Sequence, residues 1–310
     1  MTHRPLPDAP RAHPEVFAGR PPEPAPGDVD PAVLAALLQR HGWQRRGGAP
    51  GRYGRWTPPG PGGAGTSLLV PVSRAFPDSD DLLGEALDAL ARSGTPSARE
   101  VLVSLAVPSD EIRWWRDAPS GGPGGSLPWT ADERLRGAAR RMLLAAALAT
   151  RARAGYYGAR HRRPATALLD QVLVGAAVDG GCLTAFVPVA TARVLAVRLQ
   201  QALYAAREAV DYRRATGGMD AFDGAVRAGV SREFTEALIA LVEGTEGARV
   251  AVQWAPGAGV PEGCAADGEP VEFSPGDLPV LREAGARYLR AEPAVAVVLT
   301  GTVVRMRRAA

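Results

Sequence analysis

The sequence contains no lysine and no asparagine, and it has only two isoleucines in 310 residues. All 36 basic residues are therefore arginines, and 33 acidic residues leave a net charge of +3. Because lysine, asparagine and isoleucine have A/T-rich codons, their scarcity indicates a GC-rich genome. The arginine content alone therefore says little about nucleic acid, and a net charge of +3 over this length argues against a dedicated polyanion binder.

Cysteines and long apolar runs are also scarce. Two cysteines, Cys182 and Cys264, exclude a disulfide-stabilised scaffold. We predict a buried strand at 182–189 with Cys182 as a core thiol, and an exposed thiol at Cys264. The longest apolar helical run, 142–149, is far shorter than the ~20 residues that a membrane span needs. Residues 1–27 lack the apolar region of a signal peptide. We therefore expect a soluble cytoplasmic protein with no membrane partner.

Groups suited to catalysis are few. No two of the four histidines have metal-ligand spacing, so we expect no metal and no cofactor. The motif at 229–233 lacks the final glycine of a nucleophile elbow, and we predict that Ser231 instead caps a helix. The glycine-rich loop 60–67 leads into a strand, and Thr66 stands where a phosphate-binding loop needs lysine. We predict a hairpin loop there, and no catalytic residues in the chain.

The distribution of proline and glycine predicts the domain organisation. Residues 1–27 hold eight prolines and are predicted to be a disordered tail. Residues 119–128 are the clearest linker, rich in glycine and proline. We therefore predict an α+β protein with a small domain at 28–118 and a larger, mostly helical domain at 129–310 that ends in a short sheet.

The small domain has the predicted order α-β-β-β-α, followed by an extra helix. The helices are predicted at 31–41, 80–91 and 96–105, and the strands at 43–45, 53–56 and 67–72. This order resembles double-stranded-RNA-binding domains and HicA-type toxins. The catalytic histidine of HicA is missing from strand 53–56, and acidic residues stand where the RNA-binding domain has basic ones. We therefore expect the order without either activity.

In the larger domain we predict helices and strands in alternation. Helices are predicted at 130–154, 165–176, 191–215, 221–228, 231–242 and 279–290, and strands at 182–189, 249–254, 271–273 and 294–306. Two capping boxes are also predicted, one on Ser97 with Glu100 and one on Thr130 with Glu133.

Arginines concentrate in two segments that are candidates for anion or nucleic-acid contact. Segment 45–56 interleaves arginines, glycines and aromatic residues, which suits phosphate contacts and base stacking. It is equally typical of a β-hairpin whose aromatic residues pack in a core. Segment 151–163 suits either a solvated helix end or an anion site. The candidate contacts are Arg45, Arg46, Arg52 and Arg55 in the first segment, and Arg151, Arg153, Arg160, Arg162 and Arg163 in the second.

Charge alternates along the larger domain. Residues 131–215 carry 14 arginines against 6 acidic residues, and residues 216–292 carry 6 against 13. Two interpretations are open: the two blocks form complementary surfaces within the protein, or the basic block binds an anionic partner.

Three segments carry a resemblance to a known family: 211–240 with its Ala-Gly-Val-Ser motif at 228–231, Val-Ala-Val-Gln-Trp-Ala-Pro at 250–256, and 299–307. The family is one of actinobacterial proteins, and it has no assigned activity. The resemblance covers about the last 180 residues and implies an α+β cytosolic protein. In that family the last strand begins a small β-barrel. The chain is then either a shortened member or one whose last strand completes the preceding sheet.

The sequence thus leaves three functional hypotheses. The first is a non-catalytic cytoplasmic interaction or regulatory protein with a protein partner. The alternative is a nucleic-acid-binding accessory protein that uses its arginine-rich surfaces. The third is an enzyme of a type that no motif indicates.

Overall fold

The computed structural model describes residues 24–60, 67–117, 128–175, 182–266 and 269–291. Within these ranges the chain forms helices and two sheets, which confirms the α+β class. The helices are α1 (Pro31–Arg40), α2 (Ser79–Ser93), α3 (Pro96–Ala106), α4 (Trp129–Arg151), α5 (Arg162–Leu169), α6 (Val189–Thr216), α7 (Asp220–Ala225), α8 (Arg232–Val242) and α9 (Leu278–Arg290). The strands are β1 (Gln44–Ala49), β2 (Tyr53–Thr57), β3 (Leu68–Pro71), β4 (Ser109–Asp117), β5 (Leu173–Val174), β6 (Cys182–Pro188), β7 (Gly247–Gln253) and β8 (Val271–Phe273).

The predicted α-β-β-β-α order is confirmed by α1, β1, β2, β3 and α2. Most of the predicted tail and linker, the loop at 61–66 and the predicted strand 294–306 lie outside the described residues. No helix in the described ranges is both long and apolar enough to span a bilayer.

The chain divides into two units, each assembled from several segments. The first unit comprises residues 1–113, 171–196 and 251–269, and the second comprises 114–170, 197–250 and 270–310. The domain boundary predicted at the linker stays a prediction.

The smaller sheet is antiparallel, in the order β1-β2-β3. Arg45 lies opposite Trp56, which lies opposite Leu68, and a bulge interrupts the β1 register between Arg45 and Gly48. The larger sheet has the order β5-β6-β4-β7-β8. Since partners across a sheet share a face, Arg45 lies on the same face as Trp56, whereas Arg55 lies on the other.

The core of the first unit packs α1, α2 and α3 against the Trp56 face of the smaller sheet. Helix α1 begins as predicted, with Pro31 at its first position and the Asp30 carboxylate accepting the Ala32 N–H at 2.8 Å. The core residues are Val29, Leu34, Leu37, Leu38, Trp43, Trp56, Leu68, Val70, Leu83, Ala86, Leu87, Leu90, Ala98 and Val101.

Two helix starts differ from the prediction. Helix α3 is capped by Thr95, whose hydroxyl accepts the Ala98 N–H at 3.3 Å, because Pro96 takes the first helical position. Helix α4 begins at Trp129 after Pro128, with no side-chain cap, so Thr130 lies within the helix. Both predicted capping boxes are therefore wrong. The predicted cap at Ser231 is confirmed, since its buried hydroxyl accepts the Phe234 N–H at 3.2 Å.

In the second unit, α8 packs against both α4 and α9. The Trp114 indole N–H points to the Met142 sulfur at 3.3 Å, and the Tyr288 hydroxyl donates to the Phe222 carbonyl at 2.7 Å. The buried Trp114 and Tyr288 side chains therefore find hydrogen-bond acceptors within this unit.

The two cysteines occupy different settings from those predicted. The strand at Cys182 is confirmed, but Cys182 is its half-buried first residue and the buried positions follow from Leu183. The core position predicted for its thiol is therefore wrong. Cys264 is also half-buried rather than exposed.

Candidate functional site

Three candidate sites emerge from the described residues: the arginine hairpin (β1, β2 and their turn), the arginine loop (151–163), and a buried ion-pair cluster. The first and third belong to the first unit, and the second belongs to the second unit.

The arginine hairpin exposes Arg45, Arg46, Arg52 and Arg55. Arg46 donates to the Gln44 side chain. The turn needs glycine, because Gly48 has a φ of 133° and a Cβ there would lie 2.2 Å from the Tyr53 carbonyl oxygen. The structure thus brings all four predicted arginines into one hairpin, although Arg45 and Arg55 lie on opposite faces.

Acidic residues at the start of α2 lie next to this hairpin. Arg52 forms an ion pair with Asp78 at 3.5 Å and stacks on the Phe76 ring at 5.6 Å. Arg74 pairs with Asp80 at 2.5 Å. The negative charges of these carboxylates would repel a phosphate backbone that ran across the hairpin.

The tryptophans of this segment belong to the core. Trp43 is 2% exposed and Trp56 is 7% exposed, whereas Tyr53 is half-buried. The two tryptophans therefore pack as the hairpin interpretation predicts, and they are not available to stack on bases.

The arginine loop exposes Arg151, Arg153, Arg160, Arg162 and Arg163. Three of these side chains brace the backbone: Arg153 donates to the Arg227 carbonyl at 3.1 Å, Arg160 to that of Tyr156 at 2.8 Å, and Arg162 to that of Gly158 at 2.7 Å.

A carboxylate holds the same loop from within. The N–H groups of Tyr157 and Gly158 both donate to Glu233 Oε1 at 3.0 Å. The loop therefore presents its arginines on a backbone that is fixed at several points.

The arginines of 131–215 divide into two groups. Some pair with acidic residues of 216–292, as the complementary-surface interpretation predicts: Arg214 lies 2.8 Å from Asp277, Arg207 lies 3.1 Å from it, and Arg213 lies 3.2 Å from Glu283. Burial would raise the pKa of Asp277, but Arg207 and the Ser274 N–H outweigh it and lower that pKa.

The arginine loop makes up the second group. Within the described residues, Arg151, Arg153, Arg162 and Arg163 form no ion pair. Their charge is therefore not neutralised by the acidic block.

The buried ion-pair cluster comprises Arg40, His41, Glu100, Glu111 and Arg113. The His41 Nδ1 atom lies 2.8 Å from Glu100 Oε2, and its Nε2 atom lies 3.3 Å from Glu111 Oε1. Arg40 reaches Glu111 at 3.2 Å and Arg113 reaches it at 2.9 Å. The side chains of His41 and Glu111 are 0% exposed.

The contacts within the cluster determine its protonation. Burial would lower the pKa of His41, but the hydrogen bond with Glu100 and the negative charge of Glu111 beside the ring outweigh it and raise that pKa from its usual 6.5. Burial would raise the pKa of Glu111, but His41, Arg40 and Arg113 outweigh it and lower that pKa from 4.5 to about 2. Glu111 therefore stays ionised beside Arg40, Arg113 and His41.

A second buried carboxylate lies beside the cluster. Asp110 accepts the Ala255 N–H at 2.9 Å and Arg193 Nε at 3.2 Å. Burial raises the pKa of Asp110, and the bonds from Ala255 and Arg193 offset only part of that effect. Arg40 also donates to the Trp254 carbonyl at 2.5 Å. These bonds hold α1 and β4 to the segment that follows β7.

No local sequence pattern indicates this cluster, since His41 is simply the last residue of the helix predicted at 31–41. One signal was available: Asp110 and Glu111 directly precede Ile112 in a segment that also carries Trp114 and Trp115. His41 and Glu111 are enclosed and lie against each other, so these two side chains join elements of the fold and do not reach solvent. Among the described residues, no group of three or more His, Cys, Asp or Glu could hold a metal ion.

Comparison with known proteins adds no function to this geometry: no family model, no curated protein and no solved structure matches the chain.

Proposed function

We propose that the protein is a non-catalytic binding protein of the cytoplasm, and that its arginine hairpin contacts an acidic surface on a partner protein. One observation carries the proposal: Arg45 on one face of the hairpin and Arg55 on the other are both exposed, as is Arg46, and none of the three forms an ion pair within the described residues. Arginine is enriched where proteins bind one another, because its planar guanidinium forms paired hydrogen bonds with carboxylates.

The acidic start of α2 favours a protein over a nucleic acid at this surface. A phosphate backbone crossing the hairpin would meet Asp78 and Asp80 as well as the arginines. A folded partner can place cations opposite those carboxylates and carboxylates opposite the arginines.

The test compares the full chain with two charge-reversal variants in a pull-down from native lysate at low salt. One variant carries Arg45→Glu, Arg46→Glu and Arg55→Glu. The control carries Arg92→Glu, Arg136→Glu and Arg290→Glu, which make the same change in net charge at exposed positions elsewhere. We expect the wild-type chain and the control to retain one partner, and the hairpin variant to lose it.

The purified partner should then bind the wild-type chain directly, at least tenfold more tightly than it binds the hairpin variant. Equal retention by all three chains, or no retained protein at low salt, would refute the proposal.

The arginine loop supports nucleic-acid binding as a second candidate function. Four of its arginines lie outside any ion pair with the described residues, and the loop backbone is braced. If four phosphates are neutralised, a single strand should bind about 50-fold more weakly at 200 mM than at 50 mM salt.

The matched variant replaces Arg151, Arg153, Arg162 and Arg163 with glutamine. It should flatten this salt dependence, measured by fluorescence anisotropy with labelled RNA and DNA. The absence of binding to either at 50 mM salt would exclude this function.

A further inference from the structure

Two arginines of the second unit lie beside the turn that follows α8. Arg116, at the end of β4, donates through Nη2 to the Glu243 carbonyl at 2.7 Å. Arg134, in the second turn of α4, places its Nη1 atom 3.7 Å from the position that a Cβ on Gly244 would occupy. Since Glu243 and Gly244 are adjacent in the chain, the two guanidinium groups meet at one turn.

The charges of these two arginines are not neutralised by the part of the chain that the structure describes. Arg134 forms no hydrogen bond and no ion pair there, and Arg116 forms no ion pair. Burial and the positive charge of Arg134 lower the pKa of Arg116. Guanidinium groups nevertheless stay protonated, so an anion between them would relieve their mutual repulsion.

The carboxylates that adjoin this turn in the chain do not serve as that anion. Glu243 accepts from Arg282 at 2.9 Å, and Asp117 accepts from Arg249 at 3.1 Å. Glu246 is exposed and forms no ion pair with a described residue. The acidic side chains nearby are therefore either engaged by other arginines or too far from Arg116 and Arg134 to pair with them.

The two side chains also have free hydrogen-bond donors. A guanidinium group has five N–H donors, and Arg116 uses one of them on the Glu243 carbonyl. The Nε atom of Arg116 is buried and has no acceptor among the described residues. Planar groups of this kind bind the oxygens of a phosphate in pairs.

The end of α8 accounts for only one of the two arginines. A cation near a helix C-terminus interacts favourably with the last carbonyls, and Arg116 donates to one of them. Arg134 donates to none of them, so its position beside Arg116 has no such structural explanation.

We propose that Arg116 and Arg134 form a binding site for a single phosphate group, carried by inorganic phosphate or by a small phosphorylated molecule. Arg134 and Gly244 are exposed, so the group can enter from solvent. The proposal does not depend on the functions inferred for the arginine hairpin and the arginine loop, since neither of them contributes a residue to this site.

The test is isothermal titration of the full chain with inorganic phosphate, at an ionic strength held constant with sodium chloride. We expect saturable binding to the wild type. Arg134→Gln should bind at least ~tenfold more weakly, because one hydrogen bond between charged groups contributes about that factor. Arg134→Lys keeps the charge but loses the planar fork, so its affinity should lie between the two.

The control is Arg140→Gln, which removes the same charge from an exposed position elsewhere on α4 and should bind phosphate as the wild type does. Adenosine monophosphate is the second titrant and separates the two sources of the phosphate group. Equal affinity for both titrants would assign the site to phosphate alone, and tighter binding of the nucleotide would assign it to a phosphorylated small molecule; either result supports the proposal.

Two results would overturn it: no saturable binding of either titrant, or equal binding by the wild type and Arg134→Gln. Because Arg134 forms no hydrogen bond or ion pair with a described residue, its variant should keep the wild-type thermal midpoint without phosphate. Phosphate should then raise the midpoint of the wild type and leave that of Arg134→Gln unchanged, which separates loss of the site from loss of the fold.

Discussion

Glu111→Gln should destabilise the first unit strongly, because Glu111 is the carboxylate on which the buried ion-pair cluster converges. Arg40, His41 and Arg113 all lie within 3.3 Å of its oxygens. Glutamine has nearly the same volume, so the substitution creates no cavity. It removes the negative charge and leaves Arg40, His41 and Arg113 with one carboxylate fewer.

The magnitude follows from the pKa of Glu111. Its decrease from 4.5 to about 2 corresponds to about 3 kcal/mol of stability at neutral pH. Removing one partner of a buried ion pair typically lowers the free energy of unfolding by ~3–5 kcal/mol, and the value from the pKa falls in that range. We therefore expect the free energy of opening of this unit to fall by about 3 kcal/mol at pH 7.

Hydrogen exchange of the amides in α1 is the appropriate assay. A loss of about 3 kcal/mol predicts roughly hundredfold faster exchange. Glu85→Gln is the matched control, since Glu85 is exposed on α2 in the same unit and its replacement should cost under about 0.5 kcal/mol.

The pH dependence gives a second test. The folded pKa of Glu111 is lowered, so its contribution is present above pH 4.5 and is lost as the pH falls towards 2. The difference between wild type and variant should therefore shrink in acid. A difference under about 1 kcal/mol at pH 7, or one that stays constant down to pH 2, would refute the reasoning.

Three further predictions concern single residues. The first is His41→Gln: because the folded pKa of His41 is raised, its contribution to stability is complete below pH 6.5 and is lost as the pH rises through the folded pKa. The thermal midpoints of the variant and the wild type should therefore converge towards alkaline pH. A difference that stays constant with pH would contradict this prediction. Ser231→Ala should cost about 1 kcal/mol in urea unfolding because it leaves the buried Phe234 N–H without an acceptor, while Ser231→Thr should retain most of the stability. Gly48→Ala should lower the free energy of unfolding by more than ~1 kcal/mol and weaken partner retention, because both the φ of 133° and the Tyr53 carbonyl exclude a Cβ. The control is Gly27→Ala, whose added Cβ meets no atom within 4 Å. It should leave the thermal midpoint and partner retention unchanged.

The sequence by itself determined the features that depend on neighbouring residues. Asp30 with Pro31, and Ser231 before α8, mark helix starts because a cap acts on N–H groups two or three residues away. The α-β-β-β-α order follows from the same short-range periodicity. Where two local signals competed, as Thr95 and Ser97 did before α3, the sequence pattern selected the wrong cap.

Only the tertiary structure decided which distant charges meet. His41 precedes Glu100 by 59 residues and Glu111 by 70, so no local pattern could show that α1, α3 and β4 bring them together. The same holds for the arginines: Arg207 lies against Asp277, whereas Arg163 lies exposed, although both belong to one basic block of the sequence. Net charge is a sum over the chain, whereas an ion pair depends on a separation of a few ångströms that packing alone sets.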